Sequence, residues 1–182
     1  MLYVFGFGRI GVALSDLYFV DPDPAPGQEG PEQGVRLEVR ILKGSDHEGS
    51  IYASRRIVVA EPIWRIDLLE SVEHPGSLDR AHHHPSMTGW EPNRRRFEGD
   101  LTADPLAWVA DRLAHVDEVV GDAAVIDDDD LVGLRQAVPE IMDAVRRRLA
   151  AIRAADLAGT AAGGSTGTAA GRPAGAVRDS WL

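Results

Sequence analysis

The hydrophobic period of this chain changes once, near its middle, and that change limits the fold more than any other feature. Residues 36–43 show the first regime most clearly: Leu37, Val39 and Ile41 alternate with Arg36, Glu38 and Arg40. Successive strand side chains point to opposite faces, so this segment predicts a strand with one buried and one wet face. Residues 2–5, 12–20, 51–60 and 63–69 are rich in β-branched, aromatic and aliphatic side chains and read as four more strands, the last two divided by Pro62. Short turns between successive strands favour antiparallel pairing.

The second regime has a spacing of three and four. Asp104 followed by Pro105 is an N-cap with proline at the first helical position. Leu106, Val109, Ala110, Leu113, Val116 and Val120 then share one helical face, and Gly121 supplies a stop. Leu131, Leu134, Val138, Ile141, Val145, Leu149 and Ile152 mark a second helix over 131–156, which Pro139 is expected to kink or split. Strands first and helices second predict an α+β fold. The sheet is antiparallel, of about five strands, with the C-terminal helices packed on one face.

Residues 1–157 read as a single α+β domain. From 158 to 182 the composition turns to Gly, Ala, Ser and Thr, which cannot bury enough apolar surface to offset ordering entropy, so this part reads as a disordered tail. Trp181 and Leu182 at its end have the character of a short docking motif.

The chain has no Cys, which excludes disulfides, thiolate metal sites and a Cys nucleophile. The net charge of -10 is uneven: residues 1–130 hold 25 acids against 12 bases. An acidic body opposes bulk binding of nucleic acid or anionic membrane. The start lacks the basic region of a secretory signal, and no apolar stretch reaches the length of a membrane helix, so a cytoplasmic, acidic protein is expected.

Residues 71–100 form the longest irregular segment and hold four of the six His. Loops of this length in compact domains tend to carry function. His82, His83, His84 and Pro85 stand in a row, with His74 and Asp79 upstream. On an extended chain His82 and His84 point to the same side, where with His74 or Asp79 they offer a divalent cation imidazole and carboxylate ligands. The same imidazoles suit acid–base work near neutral pH. Arg65 and Asp67 share one face of the preceding strand, at the spacing of a side-by-side ion pair. The run Asp127, Asp128, Asp129, Asp130 lacks the spacing of a calcium loop and suits the positive end of the helix after it. Arg94, Arg95 and Arg96 lie among Glu91, Glu98 and Asp100, which neutralise them.

Two resemblances bear on function. Gly6-Phe7-Gly8-Arg9-Ile10-Gly11 fits G-x-G-x-x-G and resembles the opening of glyceraldehyde-3-phosphate dehydrogenases and related Rossmann enzymes, which implies dinucleotide binding at these glycines. Residues 12–20 read as a strand rather than the helix that such a site needs. Arg65-Ile66-Asp67, then His82-His83-His84-Pro85, then a Phe97 segment leading into a helix, resembles the TumE-like toxin family of bacterial toxin–antitoxin modules. That resemblance implies RNA as target and His and Arg as working residues. It departs from the family after Pro85, where Asn93-Arg94-Arg95-Arg96 stands in place of further His.

The expectation is therefore a binding or regulatory domain with a protein partner or small ligand, working through the 71–100 loop and needing no cofactor unless a divalent metal binds the His cluster. The alternatives are a ribonuclease-like enzyme with His82, His83, His84, Arg65 and Asp67 at its site, and a dinucleotide site at Gly6, Gly8 and Gly11. The 131–156 helix offers a seam for a homodimer.

Overall fold

The computed structural model describes all residues except 25, 45–49, 51, 55, 122–125 and 164–182, and omits the side chains of 157–163. Five strands form one antiparallel sheet in sequence order: β1 (Leu2–Phe7), β2 (Ile10–Val20), β3 (Pro31–Gly44), β4 (Ile57–Ser71) and β5 (His82–His84). A two-stranded ribbon comes next, β6 (Met87–Thr88) with β7 (Glu91–Pro92). The described helices are α1 (Gly99–Ala103), α2 (Pro105–Ala114), α3 (Val116–Val120) and α4 (Asp128–Gly163).

The expected architecture is present, but the fifth strand is a different segment. Residues 57–71 run as one strand through Pro62, and the fifth place is taken by His82–His84. Pro62 is tolerated because β5 pairs only with residues 65–67, so β4 has a free edge at the proline; the β3–β4 register shifts there. β3 also starts before the alternation of residues 36–43, at Pro31.

The sheet has two unlike faces. Val12, Leu14, Leu37, Val39, Trp64, Ile66 and Leu68 are buried on the inner face. Leu101, Trp108, Val109, Leu113, Leu134, Ile141, Val145 and Leu149 from the helices cover them. Trp64 stacks on Trp108 with ring centroids 6.2 Å apart. Asp104 caps α2 by accepting the Ala107 N–H at 3.0 Å, an interaction worth about 1 kcal/mol. His115 separates α2 from α3, and Gly121 ends the latter as expected.

α4 runs unbroken through Pro139 and extends to Gly163, past the Ala158 boundary; the rest of the tail, with Trp181 and Leu182, lies outside the described residues. Two bidentate ion pairs fasten α4 to the sheet, Arg148 on Asp16 and Arg153 on buried Glu70. Its apolar seam packs on the sheet and α2, as expected of C-terminal helices that cover one face of the sheet. The acids expected at a helix start are there, with Asp128, Asp129 and Asp130 in the first turn of α4. No described helix is long and apolar enough to cross a membrane.

The dinucleotide expectation is corrected. Gly6 and Gly11 face each other across the β1–β2 hairpin, and Gly8 turns its tip with a φ of +69°. A strand comes after the glycines, not a helix N-terminus, so the pyrophosphate cradle of a Rossmann site is missing. The tip is occupied by acid: Asp130 accepts the Arg9 N–H at 2.9 Å, and a Cβ on Gly8 would sit 2.3 Å from its Oδ1.

A candidate active site on the outer face of the sheet

Strand register brings the chemistry together. Arg36 on β3, Asp67 on β4 and His82 on β5 lie directly opposite one another, and the adjacent rung holds Glu38, Arg65 and His84. All six share the face turned away from the helices, because each is an even number of residues from the others on its own strand. The wet face read from the alternation of residues 36–43 is thus the floor of a site.

Asp67 is its centre, only 1% exposed. Arg36 donates to it through Nε at 2.7 Å and Nη2 at 3.2 Å. Arg65 donates through Nε at 3.1 and 3.0 Å and Nη2 at 2.5 Å. Burial alone would raise the Asp67 pKa; the His82 imidazole and the Arg65 and Arg36 guanidiniums outweigh it and hold the carboxyl far below its usual range. The guanidiniums are the nearer partners, since the His82 ring is 3.5 Å away. Two fixed cations against one carboxylate leave the cluster with a surplus positive charge. The guanidiniums reach the surface, with side chains 14% exposed at Arg65 and 25% at Arg36.

The two outer-face imidazoles are held alike. Nδ1 of His82 donates to the Arg80 carbonyl at 2.8 Å, and Nδ1 of His84 donates to the Asn93 carbonyl. Each ring therefore carries a proton on Nδ1 and turns its Nε2 atom to the interior of the cluster. Those nitrogens point toward Asp67, 3.5 Å from Oδ2 for His82 and 3.8 Å for His84. Among the described residues neither buried Nε2 has a hydrogen-bond partner. Burial lowers the His84 pKa to about 4, so its ring is neutral in the usual working range.

His83, also a candidate catalytic residue from the sequence, lies apart from the other two. It points to the inner face, between Trp64 and Trp108, with Nε2 3.0 Å from Glu98 and Nδ1 3.4 Å from the Trp64 Nε1. Its hydrogen-bond capacity is used within the core. His74 and Asp79 stay outside the cluster too: His74 is exposed and 4.0 Å from Asp79, whose Oδ1 accepts from Ser71 and Ser77. Among the described residues the grouping with ligand atoms close enough together to hold a metal is Asp67, His82 and His84; His74 and Asp79 are not part of it.

The 71–100 segment walls the site. Trp90, at the tip of the ribbon and 58% exposed, lies over the Arg40 guanidinium at 5.2 Å. Phe97, 49% exposed, stands 5.5 Å from the His82 ring. Arg95 reaches Asp21 at 3.2 Å rather than neighbouring acids, and Arg96 bridges the backbone of His83 on the free edge of β5. Sequence reasoning missed Arg36 and Glu32. The alternation of residues 36–43 placed Arg36 on the correct face, but only register shows which residue it meets. Glu32, 2% exposed on the same face, carries an unpartnered Oε2.

A scan against family models, a search of curated proteins and a search of solved structures each returned no match. Geometry and chemistry therefore carry the functional argument.

Proposed function

We propose that this chain is a ribonuclease-like enzyme acting on a phosphodiester at the outer face of the sheet, with Arg36, Arg65, Asp67, His82 and His84 as its site. The observation that carries the reading is the buried pair of Nε2 atoms without hydrogen-bond partners, beside a doubly clamped carboxylate. Buried polar atoms left unpaired cost stability, commonly about 1–3 kcal/mol each. Such atoms gathered at one place with a buried charge cluster are the mark of a working site rather than of a fold-stabilising network.

The parts fit a phosphodiester. The surplus positive charge of Arg36 and Arg65 suits a single anionic group, and guanidinium forks match phosphoryl oxygens. The two Nε2 atoms converge where an attacking oxygen would be activated, by proton transfer or by a cation that they hold. Trp90 and Phe97 give exposed aromatic surfaces at the rim, on which nucleobases stack in a sequence-tolerant way. The acidic body selects against long-range capture of polyanions and favours short single-stranded stretches reaching the local cations. The resemblance of Arg65-Ile66-Asp67 and His82-His83-His84-Pro85 to the TumE-like toxins supports the same substrate class, with the outer-face His82 and His84, not His83, as the working pair.

A binding or regulatory domain would use the same wall of residues 71–100. It gives no reason for two unpartnered imidazole nitrogens beneath that wall, and on this ground it stands second.

The test is cleavage of a fluorogenic single-stranded RNA by the purified full chain, with and without added divalent metal. The expected result is cleavage that falls at least about 100-fold in Arg65→Gln and His84→Gln variants with wild-type melting curves. A wild-type chain that cleaves under neither condition contradicts the reading.

A further inference from the structure

Asp67, His82 and His84 have ligand atoms that all lie within 4.8 Å of one another, and all three residues are buried. The His–Asp separations of 3.5 and 3.8 Å are informative. They are too long for good hydrogen bonds, which fall near 2.7–3.2 Å. They are also wider than the roughly 3 Å between neighbouring ligands at right angles around an ion with bonds of about 2.0–2.1 Å. They approach the edges of a tetrahedron around zinc, about 3.4 Å at the same bond length.

The surroundings agree. A metal-ligating imidazole characteristically donates its other N–H to a carbonyl or carboxylate, which fixes both tautomer and ring orientation. His82 does this to the Arg80 carbonyl and His84 to the Asn93 carbonyl. The two rings meet edge to face with centroids 5.2 Å apart. Arg36 and Arg65 hold the orientation of the Asp67 carboxylate.

We infer that Asp67, His82 and His84 form a three-ligand site for a divalent transition metal of zinc type, with a fourth position open to water or to a substrate oxygen. Two imidazoles and one carboxylate with an open position is a donor set suited to hydrolysis. This metal site deepens the ribonuclease reading and rests on it for its purpose: the imidazoles serve as ligands, and the attacking oxygen is activated at the ion rather than at a free base. The two guanidiniums oppose a cation electrostatically, so the affinity is weaker than that of closed structural sites.

The experiment uses the full chain purified without a polyhistidine tag and stripped with chelator. Zn2+ alone is titrated by calorimetry, and Co2+ is followed by its visible spectrum, which reports four-coordination directly. One ion per chain is expected, with a four-coordinate Co2+ spectrum. Affinity falls at least about 100-fold in His82→Gln and in His84→Gln and is unchanged in His74→Gln and Asp79→Asn. Circular dichroism and melting curves identify the variants that remain folded. The inference is overturned if the wild-type chain binds no ion, if folded His84→Gln binds as tightly as wild type, or if His74→Gln abolishes binding. Binding is read without any substrate. A chain that binds metal but cleaves no RNA refutes the ribonuclease reading alone, and one that cleaves RNA but binds no metal refutes this inference alone.

Discussion

Asp67→Asn removes one charge from the centre of the site and keeps its shape. The amide that replaces the carboxylate still offers one acceptor oxygen, but the negative charge that balanced Arg36 and Arg65 is gone. Breaking a fully buried ion pair by removing one partner costs about 3–5 kcal/mol, because an uncompensated charge stays behind. Here the stranded charges are partly wet, with side chains 14% and 25% exposed, and water recovers some of that cost. The expected loss is therefore about 2–3 kcal/mol, or roughly 4–12 °C in Tm for a domain of this size. Urea denaturation in the presence of chelator measures it, with the m-value unchanged. The triple variant Arg36→Met, Arg65→Met, Asp67→Leu strands no charge and should be more stable than the single variant. A single variant within about 0.5 kcal/mol of wild type would refute the claim that Asp67 balances this cluster.

Two further outcomes concern β3. Burial raises the Glu32 pKa above its ordinary value, although Arg95, Arg80 and His82 pull it down. A folded state that holds its proton more tightly than the unfolded one loses stability as pH rises from the unfolded value of 4.5 through the raised folded value. Glu32→Gln should thus be more stable than wild type at about pH 7, with the advantage vanishing below pH 4.5 in a series of melts; an advantage that persists in acid would contradict it. Gly34 sits where β3 and β4 approach so closely that a Cβ would lie 2.0 Å from the Leu68 carbonyl oxygen. Gly34→Ala should cost at least about 2 kcal/mol through strand displacement, and a neutral effect in urea denaturation would contradict that packing.

The fold was legible wherever pattern is local. Alternation in residues 36–43 named both faces of β3, and the Asp104-Pro105 pair located the start of α2. The seam of α4 was legible too, and the burial of Leu134, Ile141 and Val145 shows it packed on the fold as the strand-then-helix order predicts. β5 was hidden because three histidines have no strand signature. They are extended through pairing with residues 65–67 on one side and the His83–Arg96 bridge on the other. That pairing also sets the geometry of the candidate site. Period two on an extended chain set His82 and His84 on one side, as found, and the same rule sends His83 into the core. Asp67 was paired in expectation with Arg65 alone, because its second guanidinium, Arg36, lies 31 residues earlier and meets it only through register. His74 and Asp79 are near the cluster in sequence but are committed to their own turn.

The central claim is that chemistry belongs to the outer face of the sheet and not to the histidine row as a whole. RNA cleavage rates measured side by side for the wild type, His84→Gln and His83→Phe test this most directly. His83→Phe keeps an aromatic ring between Trp64 and Trp108 and should retain wild-type cleavage, while His84→Gln should lose at least about 100-fold. Equal rates for all three, or a loss confined to His83→Phe in a folded chain, would contradict the account.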